Sequence, residues 1–327
     1  MFKALVLEQV EGKTEAAVRQ LEVSDLPEED VLVAVEYSSL NYKDGLAVTG
    51  TGKIIRNFPM VPGIDLAGKV IESGSKEFSP GDSVVMTGWS VGERYWGGYS
   101  QQAKMKAEWL VPLAEGLSSL QAMAIGTAGL TSMLCVMALE EGGITPDKGE
   151  IIVSGAAGGV GSVAVSLLHK LGYQVVAVTG RESTHAYLRE LGASRIISRD
   201  EMTEAARPLE GQRWAGGIDT VGDSLLARIL AEMDYSGVVA ACGLAGGFKL
   251  PTTVMPFILR NVRLQGVDSV NCPKERRIEA WKRLSELLPK EQIDQISEVI
   301  SLEQVADAAE SIVSGKVRGR LIVDPNR

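Results

Sequence analysis

The chain has 327 residues, 45% of them hydrophobic and 23% charged, with a formal net charge of −9. That length and balance suit a soluble protein of two domains with a large core, and the acidity argues against a nucleic-acid-binding surface. Three widely spaced cysteines, Cys135, Cys242 and Cys272, exclude a disulfide framework and a CxxC zinc pair, while two histidines, His169 and His185, leave little from which to build a triad or a metal centre.

The N-terminal apolar run is too short for a signal peptide, and no segment approaches the length of a membrane span. The expectation is a cytoplasmic protein with neither membrane nor nucleic-acid partner. Residues 1 to about 120 read as β-rich, with short alternating or β-branched runs at Phe2–Leu7, Val31–Tyr37, Gly68–Glu72, Asp82–Met86 and Tyr99–Lys104 between Pro- and Gly-containing turns. They suggest a small irregular barrel. Two polar stretches interrupt these strands, Ser38–Asp44 and Pro59–Gly68, and both are candidates for a site.

Ser118 with Gln121 three residues on is a capping-box pattern, and it opens a long stretch that is apolar nearly all round, which predicts a buried connecting helix. Next comes the strand Ile151–Val153, the glycine-rich turn Ser154–Gly161 and a helix over 162–171. A β-branched run breaking into glycines and reopening as a helix is what a pyrophosphate needs if it is to sit on bare backbone N–H groups, although Ala156 stands where the usual G-x-G-x-x-G has its first glycine. Alternation continues with strands at 173–178, 194–198, 215–220, 237–241 and 262–268 and helices at 183–191 and 223–233, the count of a six-stranded doubly wound parallel sheet. The second strand ends at Thr179-Gly180-Arg181, where a guanidinium replaces the carboxylate that would grip a ribose 2′-hydroxyl. NADP(H) is favoured over NAD(H). After Pro273 two helices, 275–288 and 302–314, and a strand, 320–323, return to the first domain. The histidines read as surface helix residues.

Taken whole, the chain resembles the medium-chain dehydrogenase/reductase superfamily. Ser39–Asp44, Lys53–Pro59, Thr87-Gly88-Trp89, Trp96-Gly97-Gly98, Gly180–His185 and Cys242–Val270 are similar to its NADPH-dependent acrylyl-CoA reductase subfamily, within the zinc-independent quinone-oxidoreductase-like branch. The resemblance implies an α/β fold: a GroES-like β-rich catalytic domain of residues 1–121 and 272–327, and a Rossmann NADP-binding domain of residues 122–271. The alcohol-oxidising branch holds zinc through a Cys in a C-H-x-D-like segment and a His in a G-H-E segment, where this chain has Asn41-Tyr42-Lys43-Asp44 and Gly63-Ile64-Asp65. No metal is expected.

By resemblance, Gly158, Gly159, Val160 and Gly161 contact the pyrophosphate, Thr179, Gly180 and Arg181 hold the adenosine end, and Arg199 adds a cation for the 2′-phosphate. Leu244, Ile258 and Ser269 line the nicotinamide end, Tyr42 closes over it, and Arg320 also reaches the cofactor. Catalytic candidates are Asn41, Tyr42 and Asp65: Asn41, Tyr42 or a cofactor hydroxyl would face a thioester oxygen, and Asp65 would orient them. The tyrosine donor of mitochondrial-type enoyl-thioester reductases has no counterpart in Thr49–Lys53. The expected activity is NADPH-dependent reduction of the C=C bond of a short enoyl-CoA, acrylyl-CoA to propionyl-CoA, by a homodimer. Lys53, Arg56, Lys274, Arg276 and Arg277 are candidates for the CoA phosphates. The alternatives are a quinone or alkenal reductase and, in another class, a non-catalytic NADPH-binding sensor or structural protein.

Overall fold

Apolar alternation in the first third of the chain becomes antiparallel sheet in the computed structural model, which describes residues 1–204, 206–295, 297–317 and 319–327. β1 (Phe2–Val10) pairs with β2 (Lys13–Leu21), a strand so polar that its pattern did not announce it. β3 (Val31–Leu40) runs into α1 (Tyr42–Thr49), followed by β4 (Asp65–Ser73), β5 (Ser83–Thr87), β6 (Gln102–Met105) and β7 (Leu110–Pro112). Helix α1 is a correction to the reading of Ser38–Asp44 as an interruption between strands: Ser38–Leu40 continue β3, Asn41 is the N-cap of α1, and the Asp44 carboxylate accepts from the Asn41 backbone N–H at 2.9 Å.

Ser118 and Gln121 cap α2 (Ser119–Glu141) reciprocally, each side chain accepting from the other's backbone N–H at 3.2 Å. The helix is broken at Gly126, whose φ of 51° and ψ of −159° are not helical. By length and composition α2 is apolar enough to cross a membrane, but 94% of its most apolar stretch is buried inside the protein, as in the core helix of a globular fold.

Then β8 (Glu150–Val153), α3 (Gly159–Lys170), β9 (Gln174–Thr179), α4 (His185–Glu190), β10 (Arg195–Ser198), α5 (Arg199–Thr203), β11 (Trp214–Asp219), α6 (Asp223–Ala231), β12 (Met233–Ala241), α7 (Met255–Arg260) and β13 (Arg263–Gly266) follow in order. Their six strands are all parallel, in the order β10-β9-β8-β11-β12-β13, the doubly wound arrangement with its switch point at β8 and β11. The core between strands and helices includes Ile152, Val176, Trp214, Ile229, Leu230 and Val239. α6 stops short of the expected 233 because Met233 already pairs with Trp214 in the sheet. His169 in α3 is exposed and His185 in α4 half-exposed.

The return consists of α8 (Lys274–Leu287), α9 (Lys290–Gln295), β14 (Ser297–Ser301), α10 (Val305–Val313) and β15 (Arg320–Asp324). β15 pairs antiparallel with β3, Ile322 opposite Ser39, and joins the seven-stranded sheet β14-β15-β3-β4-β5-β7 with β6 on β3. Leu5, Leu40, Val305, Ala309, Leu321 and Val323 share one core, so residues from both ends of the chain bury each other's apolar surface. Two compact units result: Met1–Thr127 with Ser269–Arg327, and Ala128–Asp268. The first division falls next to the break at Gly126, not after 121, and the second before Ser269, not before 272.

The glycine turn depends on missing side chains. Gly155 has a φ of +57°, and a Cβ on Gly161 would overlap the Gly155 carbonyl and lie 2.7 Å from the Ala156 Cα, both backbone atoms that cannot swing away. Gly161→Ala should therefore destabilise the fold by about 2–3 kcal/mol. Urea midpoints check this, with Gly211→Ala, where an added Cβ meets nothing within 4 Å, expected to match wild type.

Candidate active site

In the unit Ala128–Asp268 the turn at the end of β8 is held by side chains that sequence reading missed. Buried Ser154 donates to Asp219 Oδ1 at 2.6 Å and accepts from Thr220 N at 2.9 Å, while Gly222 N donates to Asp219 Oδ2 at 2.7 Å. Burial holds the Asp219 carboxyl above its usual range despite these bonds. The two strand ends at the switch point are thus tied together. Gly158 caps α3, and the helix start is anchored where Ser132 Oγ donates to Val160 O at 2.7 Å. Gly158 is exposed and Gly159 and Val160 are half-buried, whereas Gly161 is buried and serves packing.

At the end of β9, Thr179 closes its own turn. Its Oγ1 accepts from Arg181 N at 3.2 Å, and Thr184 Oγ1 donates to Arg181 O at 2.7 Å. Gly180 leaves room for a neighbour, since a Cβ there would lie 3.1 Å from the guanidinium carbon of Arg199. Arg181 Nη2 reaches across to Ala157 O at 3.4 Å. The structure therefore brings Arg181 and Arg199, both exposed, to one strand end beside the glycine turn. Two guanidinium groups over bare backbone suit a phosphate-bearing nucleotide. Leu244, just beyond β12, and Ile258, in α7, are 66% and 71% exposed and are not core residues.

In the other unit the polar stretches condense into one buried network. Asp65, 0% exposed, accepts at Oδ2 from Ser39 Oγ (2.6 Å), Asn41 Nδ2 (2.9 Å) and Thr127 N (2.8 Å), and at Oδ1 from Thr127 Oγ1. Arg320 is buried as well. Its Nε donates to Ala124 O at 2.9 Å and its Nη2 to Asn41 Oδ1 at 3.2 Å, so this guanidinium is engaged inside the network and not extended towards a ligand. A Cβ on Gly126 would lie 2.7 Å from Asp65 Oδ2 and 2.9 Å from Arg320 Nη2, which explains why α2 breaks at a glycine. Of the three expected catalytic residues, Asn41 and Asp65 are hydrogen-bonded to each other and buried, and Tyr42, the first residue of α1, is 50% exposed.

Asp44, in the first turn of the same helix as Tyr42, is buried and accepts from Asn41 Nδ2 at 3.2 Å and from Ile64 N at 3.0 Å. Burial pushes its carboxyl up to about 7, against the pull of the Asn41 and Ile64 N–H groups, and the Asp65 charge pushes the same way. Tyr99 donates to Ser39 O at 3.1 Å, and burial followed by the Asp44 and Asp65 charges raises its phenol well above 10.0. The basic candidates separate. Arg277 is buried, and Lys274 is paired with Glu77 over the Phe78 ring, because apolar contacts and carbonyls absorb both; Lys53 and Arg56 are exposed and Arg276 is half-buried.

Comparison with known proteins places this geometry. Residues 27–115 match the alcohol dehydrogenase GroES-like domain and residues 159–288 the zinc-binding dehydrogenase family. The chain belongs to the medium-chain dehydrogenase/reductase superfamily. Within it, the chain is 53% identical over 329 residues to the acrylyl-CoA reductase AcuI of Ruegeria pomeroyi, covering 100% of both chains. The crystal structure of Escherichia coli YhdH with bound NADPH superimposes with a TM-score of 0.96 at 62% identity, covering 99% of this chain and 100% of that one. Bacillus subtilis yhfP with NAD bound gives 0.96 at 43%, covering 99% of each. The zinc in the second family's description does not fit here: the Asn41 amide oxygen is taken by Arg320, the Asp65 oxygens by Ser39, Asn41 and Thr127, and no cluster of three or more His, Cys, Asp or Glu suited to a metal occurs among the described residues.

Asp44 sets a pH dependence. Below the ordinary 3.8 both folded and unfolded chains hold its proton; between there and about 7 the folded chain holds it preferentially, so the stability it contributes is full at low pH and falls as pH rises. The stability of wild type relative to Asp44→Asn should fall by about 2–3 kcal/mol from pH 5 to 7 and level off above. Urea unfolding at each pH measures this, and a difference that grows with pH would contradict the assignment.

Proposed function

We propose that the protein reduces the C=C bond of a short enoyl-CoA with NADPH, acrylyl-CoA to propionyl-CoA. One observation carries the reading: a hydrogen-bonded amide–carboxylate pair, Asn41 and Asp65, stands where the alcohol-oxidising branch keeps zinc ligands. Without a Lewis acid an unactivated alcohol is hard to oxidise, while a polarised C=C needs a hydride donor and a hydrogen bond to the developing enolate. Support comes from the full-length likeness to an acrylyl-CoA reductase and from the guanidinium pair Arg181 and Arg199.

NADPH, when bound, supplies hydride to the β-carbon of the enoyl thioester, charge moving to the carbonyl oxygen before the α-carbon takes a proton. The chain's part is placement. Gly158, Gly159 and Val160 offer backbone at the start of α3, with Gly161 packing beneath them, and Gly180 leaves room for Arg199 beside Arg181 at the 2′-phosphate. Leu244, Ile258 and Ser269 serve the nicotinamide end. Because the Asn41 side-chain N–H groups already face Ser39, Asp44 and Asp65, the donor to the thioester oxygen is the half-exposed Tyr42 or a cofactor hydroxyl, and Asn41, Asp65 and Arg320 fix the helix start that presents Tyr42.

The working form is a homodimer. Phe248, Val254 and Leu259 are exposed large hydrophobic residues in the stretch that leads from β12 to the edge strand β13, side chains that a second copy would cover. A reducing cytoplasm suits its three free cysteines.

Arg181→Ala should weaken NADPH binding about 10- to 100-fold and spare NADH, since charge-assisted bonds to the 2′-phosphate are lost. Fluorescence titration with both cofactors decides; equal losses would sink the assignment. As for substrate, kcat/KM should fall from acrylyl-CoA to crotonyl-CoA by about 10- to 200-fold for one methyl group, and further for acrylate, whose carboxylate repels developing charge beside the reacting carbons. A quinone turned over faster than acrylyl-CoA would move the protein to another substrate class, and NADPH binding without turnover of any enone or enoyl thioester would make it a sensor.

A further inference from the structure

Thr87-Gly88-Trp89 and Arg277 have no part in the chemistry above, yet they form a tight polar assembly. Arg277 is 1% exposed and uses all five N–H donors: Nε to Cys272 O (2.8 Å), Nη1 to Thr87 O (2.8 Å) and Thr87 Oγ1 (3.0 Å), Nη2 to Ser269 O (2.8 Å) and Val270 O (2.7 Å). Its guanidinium carbon lies 4.7 Å from the centre of the Trp89 ring. The indole N–H of Trp89 is buried with no acceptor among the described residues, so the ring is held by its face.

The turn facing the guanidinium is strained. Gly88, Trp89 and Ser90 have φ of 79°, 55° and 58°, three successive left-handed residues of which two carry side chains. Such a backbone persists only where its surroundings over-determine it. Here Trp89 N donates to Val270 O at 3.0 Å, and a Cβ on Gly88 would lie 2.9 Å from Ser269 O and 3.1 Å from Arg277 Nη2. A charge without exposure is costly to keep, and a planar fork is the one side-chain head able to span both segments at once.

We infer that Arg277 is a positioning residue for the reduction: it locks the carbonyls of Ser269, Val270 and Cys272 against the Thr87–Ser90 turn and thereby fixes Ser269 where the nicotinamide end is received. This rests on the assignment of Ser269 proposed above. Lysine carries the same charge but cannot span the fork's two sides, so Arg277→Lys loosens Ser269 while the adenosine end is untouched.

Titration of Arg277→Lys with NADPH and with 2′,5′-ADP, which lacks the nicotinamide, tests this. The expected result is about a tenfold weaker Kd for NADPH, an unchanged Kd for 2′,5′-ADP, and a raised KM for NADPH at a folded state verified by thermal melting. An NADPH Kd within about twofold of wild type, or equal losses for both ligands, would overturn it. If Arg277→Lys does not fold, Thr87→Val removes a single acceptor and should weaken NADPH about threefold with the same selectivity; no change there overturns the inference. Ser269→Trp separates the two readings. If it binds NADPH as wild type does, the Ser269 assignment falls and the inference with it; if it loses NADPH while Arg277→Lys and Thr87→Val do not, the inference alone falls.

Discussion

A carboxylate with no exposure has to find every hydrogen bond inside the protein, and Asp65 finds its own from the end of β3, the cap of α1 and the break in α2. Desolvating such a group costs several kcal/mol by itself, roughly what a marginally stable domain has to spare, so the elements that supply the donors are held together or the group cannot be buried at all. Arg320 extends the demand to the last strand. Its side chain enters the same network only because β15 pairs with β3, which makes the closing segment of the chain a part of the site as well as of the sheet.

The nucleotide-binding unit works the other way, through what is left out. Gly155 turns where a side chain would clash, Gly161 lets α3 approach the strand, and Gly180 leaves room for Arg199. Arg181 and Arg199 lie exposed at the rim, where water screens the cost of holding two cations near each other. The first unit buries the Asp65 carboxylate among fixed partners, while the second exposes Arg181 and Arg199 beside the glycine turn.

What could be seen in the sequence was local. Glycine spacing, the 3.6-residue and two-residue periods of the parallel half, and the Ser118–Gln121 box are properties of short windows, and the corresponding turn, strands and cap were legible. β2, β14 and α1 were not. β2 reads KTEAAVRQL, whose inward face is only Thr14, Ala16 and Val18, too weak a stripe to mark it, and α1 begins at an Asn-x-x-Asp box within a stretch whose polar residues resemble a loop. Arg277 shows the larger failure. In sequence it stands among charged neighbours in an amphipathic helix and looks solvated, because the carbonyls that make its burial tolerable come from residues 87, 269, 270 and 272.

The break at Gly126 bears on how this protein can be improved. In an ordinary exposed helix a glycine is a defect, and replacing it with alanine returns about 1 kcal/mol of helix propensity. Gly126 offers no such gain: its φ of 51° is unfavourable for alanine, and the added methyl would press on Asp65 and Arg320 together. Selection for thermostability that scores residues by secondary structure would choose this position early and lose the buried network in the process, so the longest helix in the chain is also the one whose middle cannot be made more helical.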